Sequence, residues 1–187
     1  MARPKKTSER PRTMRPGARV AAVVSRFHTE LTEPMLDSAR RELAASGVDA
    51  SDMRTIWVPG SFEIPVVARA LARREDVDAV LCLGVILRGE TDHDIYVAEG
   101  AVQGLMQAML DTDKPLLLGI LTCETIEQAR ARALPPELGG QEDKGREVAR
   151  SAIEMLAALD ETRGETRAET RGATRGDGAR PRKRLRV

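Results

Sequence analysis

Short apolar runs alternate with longer stretches in which apolar residues recur every three or four positions, from about residue 18 to residue 159. The runs at 18–24, 53–58, 79–87 and 114–121 read as strands. The segment 32–47 predicts a helix, with Thr32 as N-cap, Pro34 in the first turn, Leu36, Ala39 and Leu43 as its stripe, and Gly47 as the stop. Pro59-Gly60-Ser61 turns the chain into a second helix carrying Ile64, Val67, Ala68 and Leu71. A third runs from about 94 to 110, with Ile95, Val102, Leu105 and Met109 near helical spacing. Thr125 with Gln128 three residues on reads as a capping box opening a fourth. The last spans 144–159, with Val148, Ala152, Met155, Leu156 and Leu159 inward.

The run 79–87 is apolar throughout, which predicts cover on both faces. Strands alternating with amphipathic helices give a three-layer α/β/α sandwich around a four-stranded parallel sheet, with right-handed crossovers. Ligands in such sheets bind beyond the carboxyl ends of the strands. Those ends are Ser25-Arg26-Phe27-His28, the turn 59–63, the turn 88–93, and Thr122-Cys123-Glu124. Both phenylalanines and both histidines of the chain fall there.

Composition narrows the picture further. At 187 residues and 41% apolar content the chain suits one domain with a core. Two cysteines, Cys82 and Cys123, have neither metal-site spacing nor a disulfide framework, which suits a reducing cytoplasm. The apolar runs fall short of the roughly 18 residues of a membrane span. The basic N-terminus has no hydrophobic region after it, so it does not read as a secretory signal.

The net charge of +1 hides an asymmetry. Residues 1–19 hold seven Arg/Lys against one Glu, and residues 161–187 hold nine against four acids, so the stretch 20–160 carries −10. The chain thus divides into a basic extension at 1–19, a domain at 20–160 and an Arg-rich, low-complexity tail at 161–187. Tails with few apolar residues to bury predict disorder. Arg163, Arg167, Arg171 and Arg175 share a helical spacing, but the interspersed Gly and Thr argue against a stable free helix. Such tails read either as solubilising extensions or as binders of RNA or another polyanion.

The turn Arg88-Gly89-Glu90-Thr91-Asp92-His93-Asp94 carries the densest chemistry. An imidazole at His93 suits proton transfer near neutral pH, or it serves as a surface or capping residue. Backbone N–H groups of 89–91, ahead of a helix, suit a phosphate. Phe27 is either a stacking plate for a flat heterocycle or a core residue capping the sheet. Glu63 either complements a helix dipole or accepts from ligand hydroxyls. Arg132 and Lys144 read as exposed helix charges. There is no P-loop, GxGxxG, zinc-ligand set or nucleophile elbow.

Four blocks taken together, VPGSFEIP (58–65), GVILRGETDHDIYVAEGAVQGL (84–105), LTCETIEQARARA (121–133) and KGREVARSAIEM (144–155), resemble the 6,7-dimethyl-8-ribityllumazine synthase family. The resemblance covers about residues 20–159. It implies flavodoxin-like strand order and condensation of 5-amino-6-(D-ribitylamino)uracil with 3,4-dihydroxy-2-butanone 4-phosphate, without metal or organic cofactor. By that resemblance Phe27 stacks on the pyrimidine, and Ser61, Phe62 and Glu63 line the ribityl site. Val85, Ile86 and Leu87 bind the pyrimidine edge, and Glu90 and Thr91 offer N–H groups to the phosphate. His93 transfers protons, and Arg132 holds the butanone phosphate. The family's sites lie between subunits of a pentamer, so Leu118, Arg132 and Lys144 come from a neighbour. The tails gain one further reading here, contact with riboflavin synthase.

Some positions depart from the family pattern. Leu118 stands where Phe is common, His28 where Asn is frequent, and Cys123 where Thr is frequent. The loop 133–143 is longer than the Gly-rich turn of many shell-forming members, which favours a pentamer or decamer. Two other readings compete: a non-catalytic assembly or cargo protein on the same fold, and a generic flavodoxin-like nucleotide binder. Intact Phe27, Glu63, His93 and Arg132 favour the enzyme.

Overall fold

The computed structural model describes residues 17–48 and 53–173, with side chains up to residue 164. Its elements in chain order are β1 (Val20–Ser25), α1 (Thr29–Ala45), β2 (Thr55–Val58), α2 (Ile64–Ala72), β3 (Ala79–Leu87), α3 (His93–Thr112), β4 (Leu116–Cys123), α4 (Ile126–Ala133) and α5 (Lys144–Ala173). Two 3₁₀ turns, Ser61–Glu63 and Pro136–Leu138, precede α2 and α5. The four strands are parallel in the order β2-β1-β3-β4. Val23 pairs with Ile56 on one side and Cys82 on the other, and Cys82 pairs with Leu118.

Alternate residues of each strand feed two separate cores. Val20, Ala22, Val24, Leu81, Leu83 and Leu117 pack with apolar residues of α1, α4 and α5. Ala21, Val23, Val80, Cys82, Leu116 and Ile120 pack with those of α2 and α3. This is the three-layer sandwich that the alternation predicts, with the flavodoxin-like strand order that the resemblance implies, and it explains why β3 has no polar face.

Element starts differ from expectation in informative ways. α1 begins at Thr29, and its N-cap is His28 in the left-handed region (φ 58°, ψ 49°). Histidine, like asparagine, is among the residues enriched in that region. Thr32 is no cap: its buried hydroxyl donates to the Ser25 carbonyl at 2.9 Å, while Thr29 donates to that of Arg26 at 2.6 Å. These hydroxyls stitch the helix start to the end of β1. Pro34 therefore lies inside α1, where it cannot donate to the carbonyl four residues back. Gly47 ends the helix as expected (φ 83°), with Gly47 N–H on Ala44 O and Val48 N–H on Leu43 O, a Schellman closure.

The box at α4 forms by half. Thr125 Oγ1 accepts from the Gln128 N–H at 3.2 Å, but the Gln128 side chain reaches the Glu124 N–H instead of returning to Thr125. At α5 the buried Asp143, itself left-handed (φ 51°), accepts from Ser38 Oγ at 2.7 Å and from the Arg146 N–H at 3.1 Å. One carboxylate thus caps α5 and ties it to α1.

Three expectations are corrected. Ile95 and Val102 do not face the sheet; Asp94, Ala101, Leu105 and Ala108 do, and Ile95, Val102, Met106 and Leu110 remain exposed. α3 is apolar on two sides, so spacing alone does not select the buried one. α5 continues to Ala173 instead of ending near 159, so 161–173 are helical despite their Gly and Thr. Extending a helix already nucleated by packed turns adds hydrogen bonds without a new nucleus. The compact unit itself ends at Ala157, and residues from Ala158 form a second unit. Residues 1–16 and 174–187 of the basic tails lie outside the described residues. Met155, expected inward, is exposed, while Ala149 and Ile153 are buried.

Candidate active site

The carboxyl ends of β1, β2 and β3 open into one cavity of about 390 Å³. β1 delivers Phe27, whose N–H donates to the buried Ser25 Oγ at 3.2 Å while the ring stands 67% exposed. A phenylalanine at that exposure is not sealing the core; it is a bare aromatic plate at the cavity edge. Phe62, 59% exposed, lies against α3 at Gly100, where a Cβ would collide with the ring.

The turn after β2 is held by its own acid. Glu63 Oε2 accepts from the Gly60 N–H at 2.9 Å, which fixes the carboxylate at the cavity wall. Ser61 is buried, and its Oγ is the one buried side-chain polar atom without a hydrogen-bond partner among the described residues. It fits because position 84 on β3 is glycine; a Cβ there would overlap Ser61 Oγ.

Val85, Ile86 and Leu87 form the next wall, and the chain runs on through Gly89 and Thr91 to His93, Asp94 and Val97. His93 is the first residue of α3 and is exposed. Its N–H points to Thr91 Oγ1 at 3.4 Å, and the Arg88 N–H donates to the Cys123 carbonyl at 2.9 Å.

Phe27, Ser61, Phe62, Glu63, Val85, Ile86, Leu87, Thr91 and His93 thus meet in one place. Glu90 is exposed in the same turn without lining the cavity. The chain's own Leu118, Arg132 and Lys144 do not reach it. Leu118 stands 46% exposed on the edge strand β4. Arg132 lies on α4, half-buried, with Nη1 3.5 Å from the Gln128 carbonyl. Lys144 opens α5 and pairs with Glu147 at 3.1 Å. The cavity is also lined by Gly60, Gly89 and Asp94, which lie in turns the sequence already marks, and by Val97 and His28, to which the sequence gives no role although His28 is visible in the loop after β1.

Burial disfavours the thiolate form of both cysteines. Burial pushes Cys82 far up. Burial also raises Cys123, partly opposed by the Arg132 guanidinium beside it. Among the described residues no cluster of His, Cys, Asp and Glu is placed to hold a metal, and no helix is long and apolar enough to cross a membrane. The cavity offers an aromatic plate, a fixed carboxylate, a strand end, backbone N–H groups before a helix, and an imidazole. That set suits a flat polar heterocycle with a hydroxylated chain, next to an anion.

The family model described as 6,7-dimethyl-8-ribityllumazine synthase matches residues 17–160. A curated protein of that name from Thermus thermophilus is 46% identical over 157 residues, covering 81% of this chain and 97% of its own. One from Salinibacter ruber is 47% identical, covering 79% and 92%. One from Coxiella burnetii (strain RSA 493) is 40% identical, covering 76% and 92%.

Proposed function

The chain belongs to the 6,7-dimethyl-8-ribityllumazine synthase family and is a transferase of riboflavin biosynthesis; from that premise we propose that it joins 5-amino-6-(D-ribitylamino)uracil to 3,4-dihydroxy-2-butanone 4-phosphate, releasing phosphate and water. The observation that carries this reading is the meeting of Phe27, Glu63 and His93 in one cavity at the strand ends.

The pyrimidine lies against Phe27, with its polar edge on the backbone of Val85, Ile86 and Leu87. Its ribityl hydroxyls run past Ser61 and Phe62 to Glu63, whose carboxylate is held for them by the Gly60 N–H. The phosphate of the second substrate rests on the Glu90 and Thr91 N–H groups at the start of α3. The pyrimidine's free amine attacks the ketone carbon, and the carbinolamine loses water to give an imine. Loss of a proton from the adjacent carbon then expels phosphate and leaves an enol, which ketonises, and the ribitylamino nitrogen closes the ring on that new carbonyl with loss of a second water. His93 shuttles the protons of these steps, since an imidazole both accepts and donates near neutrality. Holding both substrates in register supplies much of the remaining acceleration.

The site is completed by a neighbouring subunit in a pentamer. Leu118, Arg132 and Lys144 sit on β4, α4 and α5, away from the chain's own cavity, which is what supply to a neighbour requires. The exposed apolar row Ile95, Val102, Met106 and Leu110 on α3 gives such a neighbour a surface to cover. Arg132 then grips the butanone phosphate as it leaves. Unpaired buried thiols at Cys82 and Cys123 support a cytoplasmic setting. The basic tails serve contact with a polyanion or with riboflavin synthase.

The test is phosphate release. The purified chain given both substrates should liberate inorganic phosphate at a rate proportional to enzyme, and none above background when the pyrimidine is left out. Release that does not depend on the pyrimidine would contradict the reading.

A further inference from the structure

The three acids at the junction of β3 and α3 do not share one environment. Glu90 and Asp92 are exposed, whereas Asp94 is only 9% exposed and lines the cavity beside His93. Its place follows from α3, where Asp94 falls in line with the buried Ala101, Leu105 and Ala108. A carboxylate brought to that face needs a donor. The donor is Gly89 N–H, 3.4 Å from Asp94 Oδ1. The contact is long, but it bridges the turn at its exposed point, where nothing crowds Gly89.

Around it the turn's other internal ties are few. Arg88 N–H is taken by the Cys123 carbonyl, His93 N–H points to Thr91 Oγ1, and Ile95 N–H donates to the Asp92 carbonyl. Arg88 and Gly89 N–H are thus committed inside the protein, whereas no hydrogen bond among the described residues takes the N–H groups of Glu90 and Thr91.

We propose that Asp94 is a positioning residue for the phosphate end of the substrate: its carboxylate holds Gly89 N–H and so fixes the turn 88–91 in the form that presents the Glu90 and Thr91 N–H groups. The inference rests on the proposed reaction and assigns a role to a residue the reaction itself does not touch. The acceptor oxygen matters in this role, and the negative charge does not, since the charge itself opposes an approaching phosphate. A first-turn acid that merely complemented the helix dipole would behave the other way, losing its effect with its charge.

The experiment compares Asp94→Ala and Asp94→Asn in the full chain, with KM measured separately for the two substrates. Hydrogen exchange at the Gly89 amide is followed in the ligand-free protein. Asp94→Ala should raise KM for the butanone phosphate about tenfold while KM for the pyrimidine and kcat stay within about twofold. Exchange at the Gly89 amide should quicken several-fold, roughly in step. Asp94→Asn, which keeps the oxygen and drops the charge, should bring both quantities back to within about threefold of wild type. Equal rises in both KM values, an Asn variant no better than Ala, or an unchanged Gly89 exchange in Asp94→Ala would each overturn the proposal. The exchange reading separates the two ideas. A wild-type chain that makes no product while Gly89 exchange still responds to Asp94→Ala defeats the reaction and leaves the clamp. An active chain with unresponsive exchange does the reverse.

Discussion

His93→Ala should lower kcat by a factor of about 10²–10⁴ and leave the binding of the ribitylaminouracil within a few-fold of wild type. The side chain opens α3 at the cavity wall, exposed, with only its backbone N–H engaged by Thr91. Removing the ring therefore takes away the proposed proton carrier without disturbing a core contact. In the proposed reaction the pyrimidine is held by other residues, Phe27 and the end of β3, so its affinity has no reason to follow. Steady-state rates with calorimetric binding of the pyrimidine check this. A variant with wild-type turnover would show that protons move by another route. One that lost pyrimidine binding in parallel would show that His93 acts as a binding wall.

Arg132→Ala should lower kcat/KM for the butanone phosphate by about 10², the loss expected for a charge-assisted contact to phosphate. The more telling result comes from mixing. Arg132 sits on α4 and does not line its own chain's cavity, whereas His93 does. In a ring whose sites are shared, an Arg132→Ala subunit still offers a sound His93, and a His93→Ala subunit still offers a sound Arg132. Random co-assembly of equal amounts leaves about one site in four with both groups intact. Mixed assemblies should therefore recover roughly a quarter of wild-type activity, although each parent is nearly inactive. Mixtures no more active than their parents would place both residues in the same subunit's site.

The strands were legible because burial on both faces leaves its mark in the residues themselves. The run 79–87 coincides with β3, and β4 is displaced by only two residues at each end. The helix starts were less legible, because serine and threonine hydroxyls have more than one use. Thr32 looks like a cap by type, yet its hydroxyl serves the end of β1, and a left-handed histidine takes the cap position without its side chain bonding a backbone N–H of the first turn. The inward face of α3 was hidden for a different reason. Apolar residues on a helix that packs on a sheet and also presents an outer apolar surface give two stripes, and the sequence does not rank them. That ambiguity is what concealed Asp94, the polar member of the buried line. The cavity itself was well marked by the strand-end rule, which gathered Phe27, the turn 59–63 and the turn 88–93 without any motif. What one chain leaves unassembled is the remainder: Leu118, Arg132 and Lys144 need the likeness to relatives, not the fold, to be drawn toward a site.

If this chain makes 6,7-dimethyl-8-ribityllumazine, the product itself is the best witness. Incubating the purified full chain with both substrates, and following the lumazine by mass alongside inorganic phosphate, decides the matter. Lumazine and phosphate should appear one for one, at a rate that falls with His93→Ala. Phosphate without lumazine, or no product from an intact assembly that binds the pyrimidine, would contradict it.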